Sequence, residues 1–165
     1  MTRNERVPAM LSGVALLLSA SLVQATDIDA TLAAANATTG AVYPPGSLIQ
    51  LIPTEAMVKR DKGFSAATHD WEFFALDVAK DGTKIRARGT VEVVNQFGGN
   101  CFGCHAPAAA QWDLVCESSH GCAPIRLTRA MSGALQRTDP RCGNPTSPED
   151  AEALKQLEQV LKPAR

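Results

Sequence analysis

The stretch Asp70–Gln96, DWEFFALDVAKDGTKIRARGTVEVVNQ, decides the fold. Its first part, DWEFFALDVA, is dense in aromatic and apolar residues. Asp81-Gly82 follows, a dipeptide that favours a tight hairpin turn. Beyond it Ile85, Ala87, Gly89, Val91 and Val93 alternate with Arg86, Arg88, Thr90 and Glu92. A period of two puts one set on each face of a strand, so the run from Thr83 to Gln96 reads as half-buried strand. The two runs predict an antiparallel hairpin, ended by Phe97-Gly98-Gly99-Asn100.

On the upstream side, SLIQLI (47–52) suits a further short strand, whereas TEAMVK (54–59) fits strand or helix equally. Pro44-Pro45-Gly46 forces a turn before them. A short helix is predicted from Ile28 to Ala35. On the downstream side, Ala106–Gln111 suits a helical turn that tolerates Pro107 near its start. Asp113–Cys116 suits extended chain, and Ala123–Pro148, with prolines at 124, 140, 145 and 148, reads as loop. The final helix is well marked. Ser147 can cap it, Pro148 fits its first position, and Glu149 and Asp150 suit its positive end. Ala151, Leu154, Leu157, Val160 and Leu161 then form an apolar stripe for core packing. The expected class is α+β, an antiparallel sheet with flanking helices.

The first residues read differently. Arg3 and Arg6 precede an apolar, small-residue run from Ala9 to Val23, and Val23-Gln24-Ala25 suits cleavage. That pattern predicts a secretory signal peptide over residues 1–25 and a single domain over 26–165, located in the periplasm. The apolar run is too short for a membrane span, and no later run is long enough. The 16 Lys and Arg nearly balance the 17 Asp and Glu, so no strong field exists to draw nucleic acid or an anionic membrane.

An exported chain meets an oxidising compartment, where thiols without another duty pair. This chain has five cysteines, and an odd number gives at least one of them another fate. Cys101-Phe102-Gly103-Cys104-His105 supplies such a fate. In c-type attachment two cysteine sulfurs bond the porphyrin, and the adjacent histidine turns its ring under the iron. Zinc held by Cys101, Cys104, Cys116 and Cys122 is an alternative, but the second pair is spaced wider than a usual knuckle and His105 would be idle. A redox dithiol would call for a βαβ setting, which the pattern lacks. One covalent haem c is therefore the expected cofactor, with His105 as its metal ligand. Of the remaining cysteines, Cys116 and Cys122 flank a short loop that a disulfide can close. Cys142 can instead pair with either, or across a dimer, so the spacing leaves the connectivity open.

The order of motifs resembles the cytochrome P-460 family, which includes the cytochromes c′-β. Four pieces carry the likeness, over about residues 43–117. They are Tyr43-Pro44-Pro45-Gly46-Ser47; Met57-Val58-Lys59 with Lys62, Gly63 and Phe64; Trp71-Glu72-Phe73; and Cys101-Phe102-Gly103-Cys104-His105-Ala106 with Asp113-Leu114-Val115. The resemblance implies an antiparallel sheet with flanking helices, often dimeric, around a five-coordinate haem with an open distal face. It implies Cys101 and Cys104 as attachment points and His105 as proximal ligand. It also implies nitric oxide binding or hydroxylamine oxidation as the activity, with a redox partner in the periplasm. Family members that oxidise hydroxylamine carry a lysine bond to the porphyrin. Lys59 and Lys62 stand nearest, and the simpler reading is that both are solvated surface charges. The segment Cys116–Cys122 and Cys142 depart from the family pattern.

Other candidates follow from residue type. Trp71, Phe73 and Phe74 lie on one strand, where a face can roof a haem or simply pack. Arg86 and Arg88 can pair with haem propionates. A six-coordinate electron carrier would need Met131, Met57 or His120 as sixth ligand; His69 is a weaker candidate of the same kind.

Overall fold

A computed structural model describes residues 28–117, 119–123 and 127–161. The predicted signal peptide lies outside the described residues. Four strands form one antiparallel sheet in chain order: β1 (Leu48–Ile52), β2 (Glu55–Lys59), β3 (Trp71–Ala79) and β4 (Gly82–Gly89). Around it run α1 (Ile28–Ala35), α2 (Cys101–His105), a 3₁₀ turn (Ala110–Trp112), α3 (Arg129–Arg137) and α4 (Pro148–Leu161). The α+β class and the sheet with flanking helices are as expected. Among the described residues no helix is long and apolar enough to cross a membrane.

The hairpin forms, with two changes. Ala79 pairs with Gly82, so Lys80-Asp81 makes the turn and Gly82, at φ 146°, is the first paired residue. The second strand also stops at Gly89 rather than Gln96. Ala75 pairs with Ala87, but Leu76 pairs with Ile85, which leaves Arg86 as an inserted bulge residue. The bulge shifts the two-residue period by one, so Ile85 leaves the face of Ala87 and stands 54% exposed. As an edge strand, β4 has one neighbour and much of it faces water.

TEAMVK resolves as strand because β1 and β3 hydrogen-bond it on both sides. Glu55, Met57 and Lys59 lie opposite Ala75, Phe73 and Trp71, and directly opposed residues share a face. That face carries the core: Tyr43, Met57, Trp71, Phe73, Ala75, Val93, Cys101, Leu114 and Val115. On the other face Glu72 takes hydrogen bonds from Arg60 (2.6 Å) and Arg88 (2.6 Å), and both guanidiniums lie over Phe74.

Three downstream expectations need correction. Ala106–Gln111 is not helical throughout, because α2 ends at His105 and the chain turns at Ala106-Pro107 before the separate 3₁₀ turn. Asp113 and Leu114 are not extended: both take left-handed backbone, at φ 48° and 63°. The supposed loop after Ala123 contains α3. Thr128 caps it, its hydroxyl accepting from Met131 N at 3.2 Å, and Met131 and Ala134 are buried. Helices α3 and α4 pack together, joined by Arg137 and Asp150 at 2.6 Å. In α4 Ser147 caps as expected. Ala153 and Leu157 are its buried apolar residues among those described, beside the buried Asp150, while Ala151 is exposed.

Gly40 brings the N-terminal segment onto the loop after the cysteine motif. At φ 91° it lies so close that a Cβ would sit 2.3 Å from the Gln111 carbonyl oxygen. A side chain there is excluded by backbone, not by a movable neighbour.

Candidate functional site

A five-residue helix has no stability of its own, so α2 depends on its surroundings. Asn100 caps it by accepting from Gly103 N at 2.6 Å, and the Asn100 amide donates to Val91 O at 2.8 Å. Cys101 N donates to Val93 O at 2.9 Å. The sequel to β4 is thereby bonded to the start of the motif.

Cys101 and Cys104 stand one turn apart and are not disulfide-bonded. Cys101 belongs to the main core. Burial, reinforced by the nearby Glu55 and Cys104, pushes its thiol up to about 11, so its sulfur is neutral. Such a site favours an uncharged thioether over a metal-bound thiolate.

His105 is oriented by one contact. Its Nδ1 lies 2.7 Å from Leu114 O. A carbonyl only accepts, so Nδ1 carries the proton and Nε2 keeps its lone pair. Burial holds the imidazole below its ordinary range, against the Leu114 carbonyl, which favours the charged ring. The ring is therefore neutral at physiological pH. Phe73 packs against it with centroids 5.3 Å apart.

Leu114 O is itself held by a buried ion pair. Lys59 is not the solvated surface charge expected of it, for only 7% of its side chain is exposed. Strand alternation carries it inward with Met57. Its Nζ donates to Asp113 Oδ2 (2.7 Å), Asp113 Oδ1 (2.8 Å) and His69 O (2.6 Å). Asp113 Oδ2 also accepts from Tyr43 N at 2.9 Å, and Asp113 O accepts from Trp71 Nε1 at 2.7 Å. Asp113 is thus fastened to β2, β3 and the segment before β1. Its left-handed backbone and that of Leu114 then deliver the next carbonyl to His105. Lys62 is exposed, as expected.

The other candidates are dispersed. Trp71 is fully buried and bonded to Asp113, whereas Phe73 touches His105 directly. Arg86 is exposed, 3.7 Å from a more exposed Asp77, with its charge near Glu55 and Cys101. Arg88 is engaged by Glu72 on the opposite face. Burial works against the charged Glu72, yet the bonds from Arg88 and Arg60 prevail and hold it below the usual carboxylate range. Met57 sits in the main core and Met131 in the α3–α4 packing. His69 Nδ1 lies 3.6 Å from Asp113 Oδ1.

Cys116 and Cys122 form a disulfide with an S–S distance of 2.09 Å, and Cys142 is an exposed thiol. The four-cysteine zinc site is therefore not assembled. Among the described residues no group of three or more His, Cys, Asp or Glu converges to hold a metal. His120 lies inside the disulfide loop. Its Nδ1 donates to Val115 O at 2.7 Å, and its ring stacks on Trp112 at 3.7 Å.

Compared with protein-family models, curated proteins and solved structures, the chain matches none.

Sequence reasoning missed the Lys59–Asp113 pair, the role of Leu114 O, and Glu55. A usable signal existed for the first: read as a strand, TEAMVK puts a lysine on the face of Met57, and a buried lysine calls for a carboxylate. Glu55 Oε1 is buried without a hydrogen-bond partner among the described residues. Burial raises the Glu55 carboxyl above its ordinary range, against the Asn95 bond and the Arg86 charge. A raised acid binds more protons folded than unfolded, so its ionisation destabilises the fold as pH rises through the folded value. Glu55→Gln should accordingly stabilise the protein at about pH 8, by roughly 1–2 kcal/mol, the scale of one poorly solvated polar group. The gain should vanish at about pH 3, where the carboxyl is protonated in both states. Urea titrations at the two pH values check this; an equal effect at both would contradict it.

Met131→Ala gives a second expectation. Truncating this buried side chain should cost about 2–5 kcal/mol and leave any haem spectrum unchanged, since Met131 lies outside the core cluster that contains Cys101. A changed spectrum at unchanged stability would make Met131 an iron ligand instead.

Proposed function

We propose that this chain is a periplasmic mono-haem c-type cytochrome of the P-460 kind, with an iron face that accepts small nitrogen ligands. One observation carries the reading: His105 Nδ1 is bonded to a backbone carbonyl beside two unpaired thiols one helical turn apart. Ligand histidines are commonly oriented in this way, their second nitrogen held by a carbonyl or carboxylate. The donor set fits haem c, offering two unpaired cysteine sulfurs for thioethers and one neutral imidazole nitrogen for iron.

In this reading Cys101 and Cys104 attach the haem and His105 Nε2 ligates its iron. Bound haem supplies a metal centre for nitric oxide or hydroxylamine and for one-electron exchange with a periplasmic partner. Leu114 O retains the Nδ1 proton and sets the ring's orientation. Phe73 shields the imidazole from water, Trp71 braces the carbonyl through Asp113, and Arg86 is the charge available to a propionate.

An absorption spectrum tests the proposal, taken on protein exported from a host with haem-attachment machinery. The reduced protein should be high-spin and shift with carbon monoxide, and Cys101→Ala/Cys104→Ala should lose all covalent haem. Wild-type protein without covalent haem overturns the reading. A sharp low-spin spectrum indifferent to carbon monoxide would instead make it a six-coordinate electron carrier.

A further inference from the structure

The disulfide loop is built onto the motif. Cys116 Sγ lies 3.3 Å from His105 Nδ1, the atom that donates to Leu114 O. Ala123 N donates to Cys104 O at 3.1 Å, and Ala109 N to His120 O at 2.8 Å. His120 is bonded to Val115 O and stacked on Trp112, which ties the loop to the residues just before it. The two residues before Cys116 are Leu114, which takes the His105 proton, and Val115, which takes that of His120. A single covalent link, Cys116–Cys122, thus closes a ring of contacts running from Cys104 through His105 to Leu114.

We propose that Cys116 and Cys122 are positioning residues for His105: their disulfide is a clasp that holds Leu114 O on Nδ1 and the sulfur against the imidazole edge. The inference rests on the haem reading for its consequence at iron, though not for the clasp itself. A firmly held Nδ1–H bond makes the imidazole a more basic ligand and favours ferric iron. Opening the clasp weakens that bond and favours ferrous iron. A dithiol accomplishes this by balanced exchange. Its two thiols pass two electrons and two protons to the S–S bond, leaving two cysteine thiols and an oxidised dithiol. Thioether bonds to haem contain no S–S bond and are untouched.

The test uses exported full-length protein in three forms: wild type, Cys116→Ser/Cys122→Ser, and wild type reduced with dithiothreitol and alkylated. The last form is already folded, which guards against a variant that fails to fold. Two readouts are taken. In the holoprotein, the haem potential and the iron–histidine stretch should both move when the clasp is open. The ferrous-to-ferric balance should shift about ten-fold, which is about 59 mV upward for a one-electron couple. In the haem-free proteins, where no iron fixes Nε2, ¹⁵N spectra of His105 should show one tautomer with Nδ1–H in wild type and a mixture in Cys116→Ser/Cys122→Ser. Unchanged potential and stretch in both opened forms, with an unchanged tautomer in the haem-free variant, overturn the clasp. Wild type without haem overturns the proposed function alone, because the tautomer measurement then decides the clasp by itself.

Discussion

Asp113→Asn should destabilise the protein by about 3–5 kcal/mol, the usual cost of removing one partner from a buried ion pair. Asparagine keeps the size of aspartate and accepts left-handed backbone, so the substitution isolates the charge. It leaves the Lys59 ammonium, with 7% of its side chain exposed, supported by His69 O and a neutral amide. The melting temperature should fall by roughly 10–20 °C for a domain of this size. Lys59→Met combined with Asp113→Asn should recover much of the loss, since the stranded charge is gone. Thermal and urea unfolding of the two single variants and the double variant decide the matter. A double variant as unstable as Asp113→Asn would show that backbone geometry at Asp113, not the charge, is what the fold requires.

Replacing His105 by glycine should abolish histidine ligation of the proposed haem without releasing it, because Cys101 and Cys104 hold it separately. Imidazole at millimolar concentration should enter the space and return the wild-type spectrum. The denatured pyridine adduct should report the same haem content in variant and wild type. Retention of the native carbon monoxide spectrum in His105→Gly would show that another residue ligates the iron.

How far these features were legible depended on distance along the chain. Local signals served well. The hairpin at Asp70–Gly89, helix α4 with Ser147 and Pro148, and the cysteine motif are each written in adjacent residues. The Arg86 bulge was hidden because alternation is a property of one strand, while a bulge belongs to a pair. Helix α3 was hidden by its polar sequence, in which Met131 and Ala134 alone are buried. Nothing local marks Asp113 and Leu114 as left-handed, since neither is glycine. Their conformation is set by Lys59, 54 residues away, by Tyr43, 70 away, and by Trp71, 42 away. The motif itself was therefore visible in the sequence, whereas the carbonyl that orients its histidine was not.

The chain contains two tryptophans, and the fold gives them separate surroundings. Trp71 is sealed beside the Lys59–Asp113 pair; Trp112 lies flat against the imidazole of His120. The two indoles are therefore built-in optical gauges, one for the sheet side of the site and one for the disulfide loop. Trp71→Phe would leave Trp112 as sole emitter, and its intensity would follow loosening of the loop in real time. In a haem-bearing protein, energy transfer to the porphyrin would dim both, so emission also counts the fraction of chains that carry the pigment.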